Sequence, residues 1–323
     1  MSLNSYNMMF TSIMILGVMI SLSSNNLFMI WLGLEITFMS FMPTLSKSTK
    51  LMSHSSMKYF IIQSISSLMM MLGMLMMLND LMHTNFILMF SLIIKIALAP
   101  FHTWLIMIID NMNVNSMFML ITIMKFPLIN LISIMMMKFD LLCMFSMICS
   151  SLCSLNQTSI RKLIAYSSVF NMGLLMPSLM MNSSWINFMT IYSLILLSMF
   201  ILINKCNINF INQTLINEHS IMLKINMFIL LISMGGMPPL MGFTLKLIII
   251  EKLTMVNNYM MIMTISITSV IMMFIYIRLS FLIIMFSSIK NKWNLNIINK
   301  NSMIIFIMNL TWFPILILMK CMT

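Results

Sequence analysis

From residue 7 to residue 320 the chain alternates long apolar runs with short polar punctuation. A run that crosses about 30 Å of hydrocarbon has one common solution, a helix that satisfies its own backbone. Eleven runs read this way: 7–22, 26–45, 57–78, 86–109, 116–136, 141–155, 161–181, 186–203, 224–252, 259–287 and 302–320. The longer connections are 204–220 and 288–301, and nothing among them would bury a water-soluble core. Hydrophobic residues make up 61% of the chain and charged residues 7%, which excludes the soluble globular classes. The sequence predicts an all-α integral membrane protein with one transmembrane domain over residues 1–323.

The seventeen bases against six acids leave a net charge of +11. In a membrane protein that excess marks loops on the positive-inside face, and no aromatic-arginine cluster points to nucleic acid. Loops after even-numbered runs carry Lys47, Lys50, Arg161, Lys162, Lys205, Lys290, Lys292 and Lys300, whereas the opposite side offers little beyond Lys138, Lys252 and Lys320. This predicts an N-terminus on the positive-inside face. Fifty methionines stand beside only three alanines and seven glycines, the mark of an A+T-rich coding sequence such as a mitochondrial genome. Methionine tolerates that drift because it is apolar and adaptable. The cysteines, Cys143, Cys149, Cys153, Cys206 and Cys321, are odd in number and lack a CxxC spacing, which argues against a disulfide framework or zinc site. No cleavable signal or transit peptide is expected.

The chemistry concentrates where charge meets a helix break. In Ser91-Leu92-Ile93-Ile94-Lys95-Ile96-Ala97-Leu98-Ala99-Pro100 a lysine sits near the middle of an apolar run and a proline follows. An ammonium at the bilayer centre costs about 2.5–3.5 kcal/mol on insertion scales. Pro100 has no amide hydrogen and clashes with the preceding turn, so the helix should kink or open there. A costly cation beside a break reads as part of an ion pathway; the plainer reading is a lysine that snorkels to an interface. Lys125 lies mid-run with Pro127 after it, and Lys246 follows the break at Gly235, Gly236, Pro238 and Pro239.

Glu35 lies mid-run in the second segment, where it would bind a proton, meet a cation or serve as a structural ion pair. A lysine that pairs with Glu35 and then parts from it would take up and release a proton, and such sites titrate as a set. His102 would either pass protons or pack as a hydrogen-bonded side chain. Arg278 and Glu251 read as interfacial, and Arg161 with Lys162 as an orientation signal. No Rossmann fingerprint, P-loop, zinc-protease helix or nucleophile elbow occurs, nor any His or Cys set for haem or an iron–sulfur cluster. No metal or redox cofactor is expected on this chain.

Runs 1–5 and 6–10 form two sets of five, with a final helix left over. The fourth member of each set is the broken one, with a lysine nearby. Five is odd, so the second set would lie inverted relative to the first, a pattern that points to transport. The predicted limits are 7–136, 141–287 and 302–320.

Taken together these stretches resemble the second-chain family of animal mitochondrial NADH:ubiquinone oxidoreductase, respiratory complex I, among its antiporter-like subunits. The residues that carry the resemblance are Trp31, Gly33, Leu34, Glu35, Ile36, Phe41 and Pro43; Lys58, Tyr59, Phe60 and Gln63; Lys95, Ala99, Pro100, Phe101, His102 and Trp104; and Lys125 with Pro127. Further along come Leu155-Asn156-Gln157-Thr158-Ser159, Arg161-Lys162-Leu163, Ala165, Ser167 and Ser168, then Gly235, Gly236, Pro238, Pro239, Gly242, Phe243 and Lys246. The resemblance implies inverted five-helix repeats with two discontinuous helices. It implies proton translocation along Glu35, Lys95, Lys125 and Lys246. NADH, FMN, iron–sulfur clusters and ubiquinone would sit in other subunits. Partners would be the other membrane-arm subunits and the lipids of the mitochondrial inner membrane, with the N-terminus in the matrix. Four residues depart from the usual pattern: Thr37 for Asn, Asn171 for His, Leu174 for Trp and Leu247 for Trp.

Three other readings remain open on the residues alone. A stand-alone cation/proton antiporter would not comigrate with a large NADH-oxidising assembly. A structural subunit would keep its buried charges only to fix helix register. A quinone-site subunit would take a quinone photolabel.

Overall fold

Backbone in lipid has no water to bond with, so each apolar run closes its hydrogen bonds within itself. The computed structural model describes residues 5–45, 50–78, 84–135, 139–179, 184–215 and 221–287. The expected final span, 302–320, and Lys47, Asp80, Lys138, Glu218, Lys290, Lys292, Lys300 and Lys320 lie outside them. The helices are α1 (Ser5–Ser23), α2 (Leu27–Leu45), α3 (Lys50–Leu78), α4 (Thr84–Ile96), α5 (Thr103–Asp110), α6 (Val114–Phe118) and α7 (Lys125–Met135). They continue as α8 (Asp140–Ser154), α9 (Ile160–Leu175), α10 (Ser184–Cys206), α11 (Ile221–Gly235), α12 (Met241–Met255) and α13 (Tyr259–Ser287). A π-helical turn, Met119–Ile123, joins α6 to α7. Among the described residues the only extended pairing is an isolated bridge between Ser159 and Phe210.

Among the described residues, six helical stretches are long and apolar enough to cross a membrane, and three shorter apolar helices, Phe86–Ile96, Asp140–Ser154 and Met222–Gly235, accompany them. The surface is apolar where a soluble protein's would be polar: Leu16, Leu68, Leu141, Met260 and Val270 are exposed. Small hydroxyls go inside, as at Ser66, Ser91, Ser150 and Ser233. Most return their proton to the carbonyl three residues back, Ser66 to Gln63 at 2.8 Å and Ser91 to Leu88 at 2.7 Å. That habit explains why α3 begins at Lys50 rather than near residue 57. Ser55 and Ser56 bond back to Met52 and Ser53, so polar residues continue the helix instead of ending it.

The chain divides into two compact units, residues 1–146 and 147–323. In the first, α1 and α2 cross at glycines. A Cβ on Gly33 would stand 2.8 Å from the Gly17 carbonyl oxygen and 2.9 Å from Ser21 Cβ, closer than van der Waals contact allows. Small residues let membrane helices approach this closely and gain dispersion energy. Asn130 on α7 ties down the same end of α1, donating to the Ser21 carbonyl at 3.1 Å. Gly73 of α3 seats Leu88 of α4 in the same way. Phe38, Phe41, Tyr59 and Trp104 form an aromatic cluster with centroid spacings of 5.3–6.2 Å.

In the second unit, the segment before α9 is fastened to the segment after α10. Ile160 N–H donates to the Asn209 carbonyl, Ile211 N–H donates to the Thr158 carbonyl, and the Arg161 guanidinium donates to Asn209 Oδ1 at 2.6 Å. Arg161 is thus a structural clamp. Gly242 at the start of α12 lies directly on the Ser233 carbonyl of α11, where any Cβ would collide.

Replacing Gly33 by valine should force α1 from α2. The expected cost is about 1–3 kcal/mol, the range for overpacking, read as a lower unfolding temperature of the assembled protein. Serine at the same position should cost less.

Candidate functional site

The first break ends α4 by a Schellman closure. Leu98 N–H reaches back to the Ile93 carbonyl and Ala97 N–H to the Ile94 carbonyl, both at 3.2 Å, and Ala97 takes the left-handed conformation at φ +66°. Alanine there costs about 1–2 kcal/mol relative to glycine. The Ile94 carbonyl also accepts the Trp104 indole N–H from α5 at 3.0 Å, which fixes the two half-helices to each other. Lys95 is therefore the penultimate residue of α4, in the last turn, where the helix dipole and free carbonyls favour a cation. Its side chain is 7% exposed.

The second break repeats the closure. Gly236, at φ +76°, donates to the Ser233 carbonyl at 3.0 Å and Met237 donates to the Ile232 carbonyl at 3.4 Å. Here the lysine comes from the following half-helix. Lys246 of α12 donates to the Gly235 carbonyl at 2.7 Å. Its stem lies over Gly236 so closely that a Cβ there would meet Lys246 Cε and Nζ at 2.6 Å. Glycine at 236 supplies both the left-handed turn and the room for the amine.

Lys125 follows a third irregularity. Pro127 lacks the N–H that would bond the Ile123 carbonyl, and its ring crowds that carbonyl. The chain answers with the π turn, in which Met124 N–H reaches the Met119 carbonyl at 3.1 Å. Lys125 begins α7, is 3% exposed, and its Nζ is buried without a hydrogen-bond partner.

Lys95 and Lys125 line one cavity with Thr37, Tyr59, Gln63 and apolar neighbours including Leu34, Phe38 and Met124. It holds about 30 Å³ of space for the centres of water molecules, enough for one or two. Glu35 on α2 is half-buried, leaves Oε1 without a hydrogen-bond partner, and acts electrostatically on both Lys95 and Tyr59. So Glu35, Lys95 and Lys125 form one neighbourhood in the first unit, while Lys246 stands at its own break in the second. His102 lies within the first break, where it hydrogen-bonds the Pro100 carbonyl, and is not among the cavity-lining residues. Thr37 Oγ1 donates to the Leu34 carbonyl at 2.8 Å, so toward the cavity it offers only lone pairs.

Tyr59 and Gln63 had drawn attention only as parts of a pattern. Their spacing of four on an apolar helix puts both on one face, and that face is the cavity wall.

A family profile described as "NADH:quinone oxidoreductase/Mrp antiporter, TM" matches residues 24–86 and 78–272. The chain is similar to the NADH-ubiquinone oxidoreductase chain 2 of Anopheles gambiae, 33% identical over 320 residues and covering 94% of each chain. It is similar to the Aedes aegypti protein of the same name, 31% identical and again covering 94% of each. Its fold is similar to a chain of the respiratory complex I from Thermus thermophilus with bound aureothin, with a TM-score of 0.81 at 17% identity, covering 88% of this chain and 71% of that one.

Because Gly236 serves the turn and the amine together, Gly236→Ala should lower the unfolding temperature. The loss should be smaller in a Lys246→Met background, where no amine is displaced. A double-mutant cycle reads the difference, expected at about 0.5–3 kcal/mol for groups in contact. Strict additivity would show that the two positions act independently.

Proposed function

The chain belongs to the NADH-ubiquinone oxidoreductase chain 2 family, within the NADH:quinone oxidoreductase/Mrp antiporter membrane proteins, and from that premise we propose that it is a membrane-arm subunit of respiratory complex I that carries protons along Glu35, Lys95, Lys125 and Lys246. NADH oxidation and ubiquinone reduction, with their FMN and iron–sulfur clusters, fall to other subunits on this reading, and this chain binds no cofactor. The observation that carries it is the shared cavity: two deeply buried lysines line one water-sized space, with a carboxylate acting on the first.

The mechanism follows from that arrangement. Lys95 holds its proton through the field of Glu35 and the carbonyl end of α4. A movement that separates Glu35 from Lys95 weakens that hold. Water in the cavity then gives the proton a path to Lys125, whose amine has no hydrogen bond to lose. Two ammonium groups lining one small cavity repel, so protonation of either is coupled to the other. Moving a charge against about 100 mV costs about 2.3 kcal/mol, a scale that rearranged ion pairs can supply. Lys246 donates to the Gly235 carbonyl, a bond that its amine can make whether charged or neutral.

The wider architecture is part of the same proposal. Eleven spans, two inverted five-helix repeats over about 7–136 and 141–287, and a final helix over 302–320 account for the paired breaks at matching positions. The Schellman closures at Ala97 and Gly236 support that pairing. Excess lysine in the loops after even-numbered spans supports an N-terminus in the matrix and residence in the mitochondrial inner membrane.

Lys125→Met keeps the length and apolar body of the side chain and removes its proton site. In the assembled complex it should lower NADH-driven proton pumping by about tenfold or more, with assembly retained. Pumping at the parental rate would overturn the role given to Lys125.

A further inference from the structure

A hydroxyl that bonds back into its own helix needs nothing from outside, and the buried serines of α3 are of that kind. Ser55, Ser56, Ser66 and Ser67 are buried, and each donates to the carbonyl three residues back. Gln63 on the same helix is different. It is 8% exposed. Its backbone carbonyl accepts from Ser66 at 2.8 Å, while its side chain lines the cavity shared by Lys95 and Lys125. A buried polar group left unbonded costs about 1–3 kcal/mol, and packing alone would be served by methionine, of which the chain has 50.

The other polar liners are Lys95, Lys125, Tyr59 and Thr37. Lys125 is 3% exposed, and its Nζ is buried without a hydrogen-bond partner. Thr37 gives its proton to the Leu34 carbonyl at 2.8 Å, so toward the cavity it can only accept. The cavity has about 30 Å³ of space for the centres of water molecules. One water needs about 10–15 Å³ and two to four polar partners. Both needs are met here, so the cavity suits a bridging water.

The hydrogen bonds of that water can be counted. An ammonium only donates, and a neutral amine offers one lone pair. A water between the two lysines accepts from the charged one and donates to the neutral one, which leaves its second hydrogen over. Midway through transfer it is a hydronium, with three hydrogens and only two amines to receive them. The remaining hydrogen needs an oxygen. Tyr59 is held by ring contacts with Phe38, Phe41 and Trp104, whereas the terminal torsion of a glutamine is soft. The Gln63 amide can therefore turn its oxygen to follow the water, and it accepts equally well in both states because it does not titrate.

We propose that Gln63 is a positioning residue for proton transfer between Lys95 and Lys125, its amide oxygen holding the bridging water in line within the cavity that all three line. The inference rests on the proton-translocating reading above and adds this residue to it. Charged Lys95 gives a proton to the water, and the water gives one to neutral Lys125. One N–H bond breaks at Lys95 and one forms at Lys125. The water ends neutral, with one hydrogen exchanged. Gln63 neither gains nor loses a proton. It keeps the remaining hydrogen of the water bonded throughout, with Thr37 as the second acceptor.

The test uses the full chain in the intact complex, reconstituted in liposomes. Gln63→Met keeps the length of the side chain and removes its hydrogen-bonding groups. It should assemble, yet lower NADH-driven pumping by roughly tenfold to a hundredfold, the range for a misplaced reactant. Lys125→Met serves as the reference. Transfer between the lysines then limits the rate, so heavy water should slow Gln63→Met more than it slows the parental complex. An unchanged isotope effect would show that the variant acts through packing alone and overturns the proposal. If Gln63→Met pumps at the parental rate while Lys125→Met is slow, the positioning role falls and the parent reading stands. If Lys125→Met also pumps normally, both fall. A density map of the unaltered complex decides the matter whether or not the variant assembles. A water within hydrogen-bond distance of the Gln63 amide and both amines supports the proposal, and a dry cavity or an amide turned out of it overturns it.

Discussion

Ending a helix inside hydrocarbon leaves its last carbonyls without donors, and the structure is arranged around satisfying them. Both breaks meet the need first from the backbone, with the same pair of reversed bonds after a left-handed residue. What remains is met by side chains from the following half-helix. Trp104 donates to Ile94, and Lys246 donates to Gly235. Lys246, which we propose as a proton site, is therefore also a structural donor, so a change in its charge would act on the backbone it supports.

The π turn before Lys125 belongs to the same economy of backbone bonds. Pro127 removes one donor, and the chain shifts the bonding of one turn rather than leaving a carbonyl bare. Three backbone irregularities thus stand beside Lys95, Lys125 and Lys246. Many other hydroxyls are paired locally and give little scope for change: Ser55 and Ser66 of α3 bond back three residues and stay inside their own helix. The contrast separates hydroxyls that merely fold into a helix from groups whose partners lie on other elements.

Much of this was legible in the chain. Apolar runs gave the helices because lipid permits few alternatives, and prolines after Lys95 and Lys125 gave the irregular places because proline cannot donate. The register of α3 was harder. Ser53, His54, Ser55 and Ser56 look like a loop until one sees hydroxyls bonding to carbonyls three residues back. The role of Gly17 and Gly33 was also hidden, since close approach depends on which faces of α1 and α2 meet. The cavity was half visible. Lys95 and Lys125 stood out by cost, whereas Tyr59 and Gln63 are unremarkable until α3 packs them against those lysines.

The two breaks differ in one respect that bears on mechanism. At the first, the cation belongs to the helix that ends, so Lys95 is carried by the same turn whose dipole favours its charge. At the second, the cation belongs to the helix that begins, and Lys246 reaches back across the gap to a single carbonyl. A small relative movement of α11 and α12 would lengthen that bond at once, while the same movement of α4 and α5 would leave Lys95 on its own turn. Lys95 is thus governed first by its burial and then by the charge of Glu35, which lies outside its helix. Lys246 is governed by the opening of the break itself. On the reading proposed here, one closure motif used twice would yield one lysine that responds to a neighbouring charge and one that responds to helix displacement.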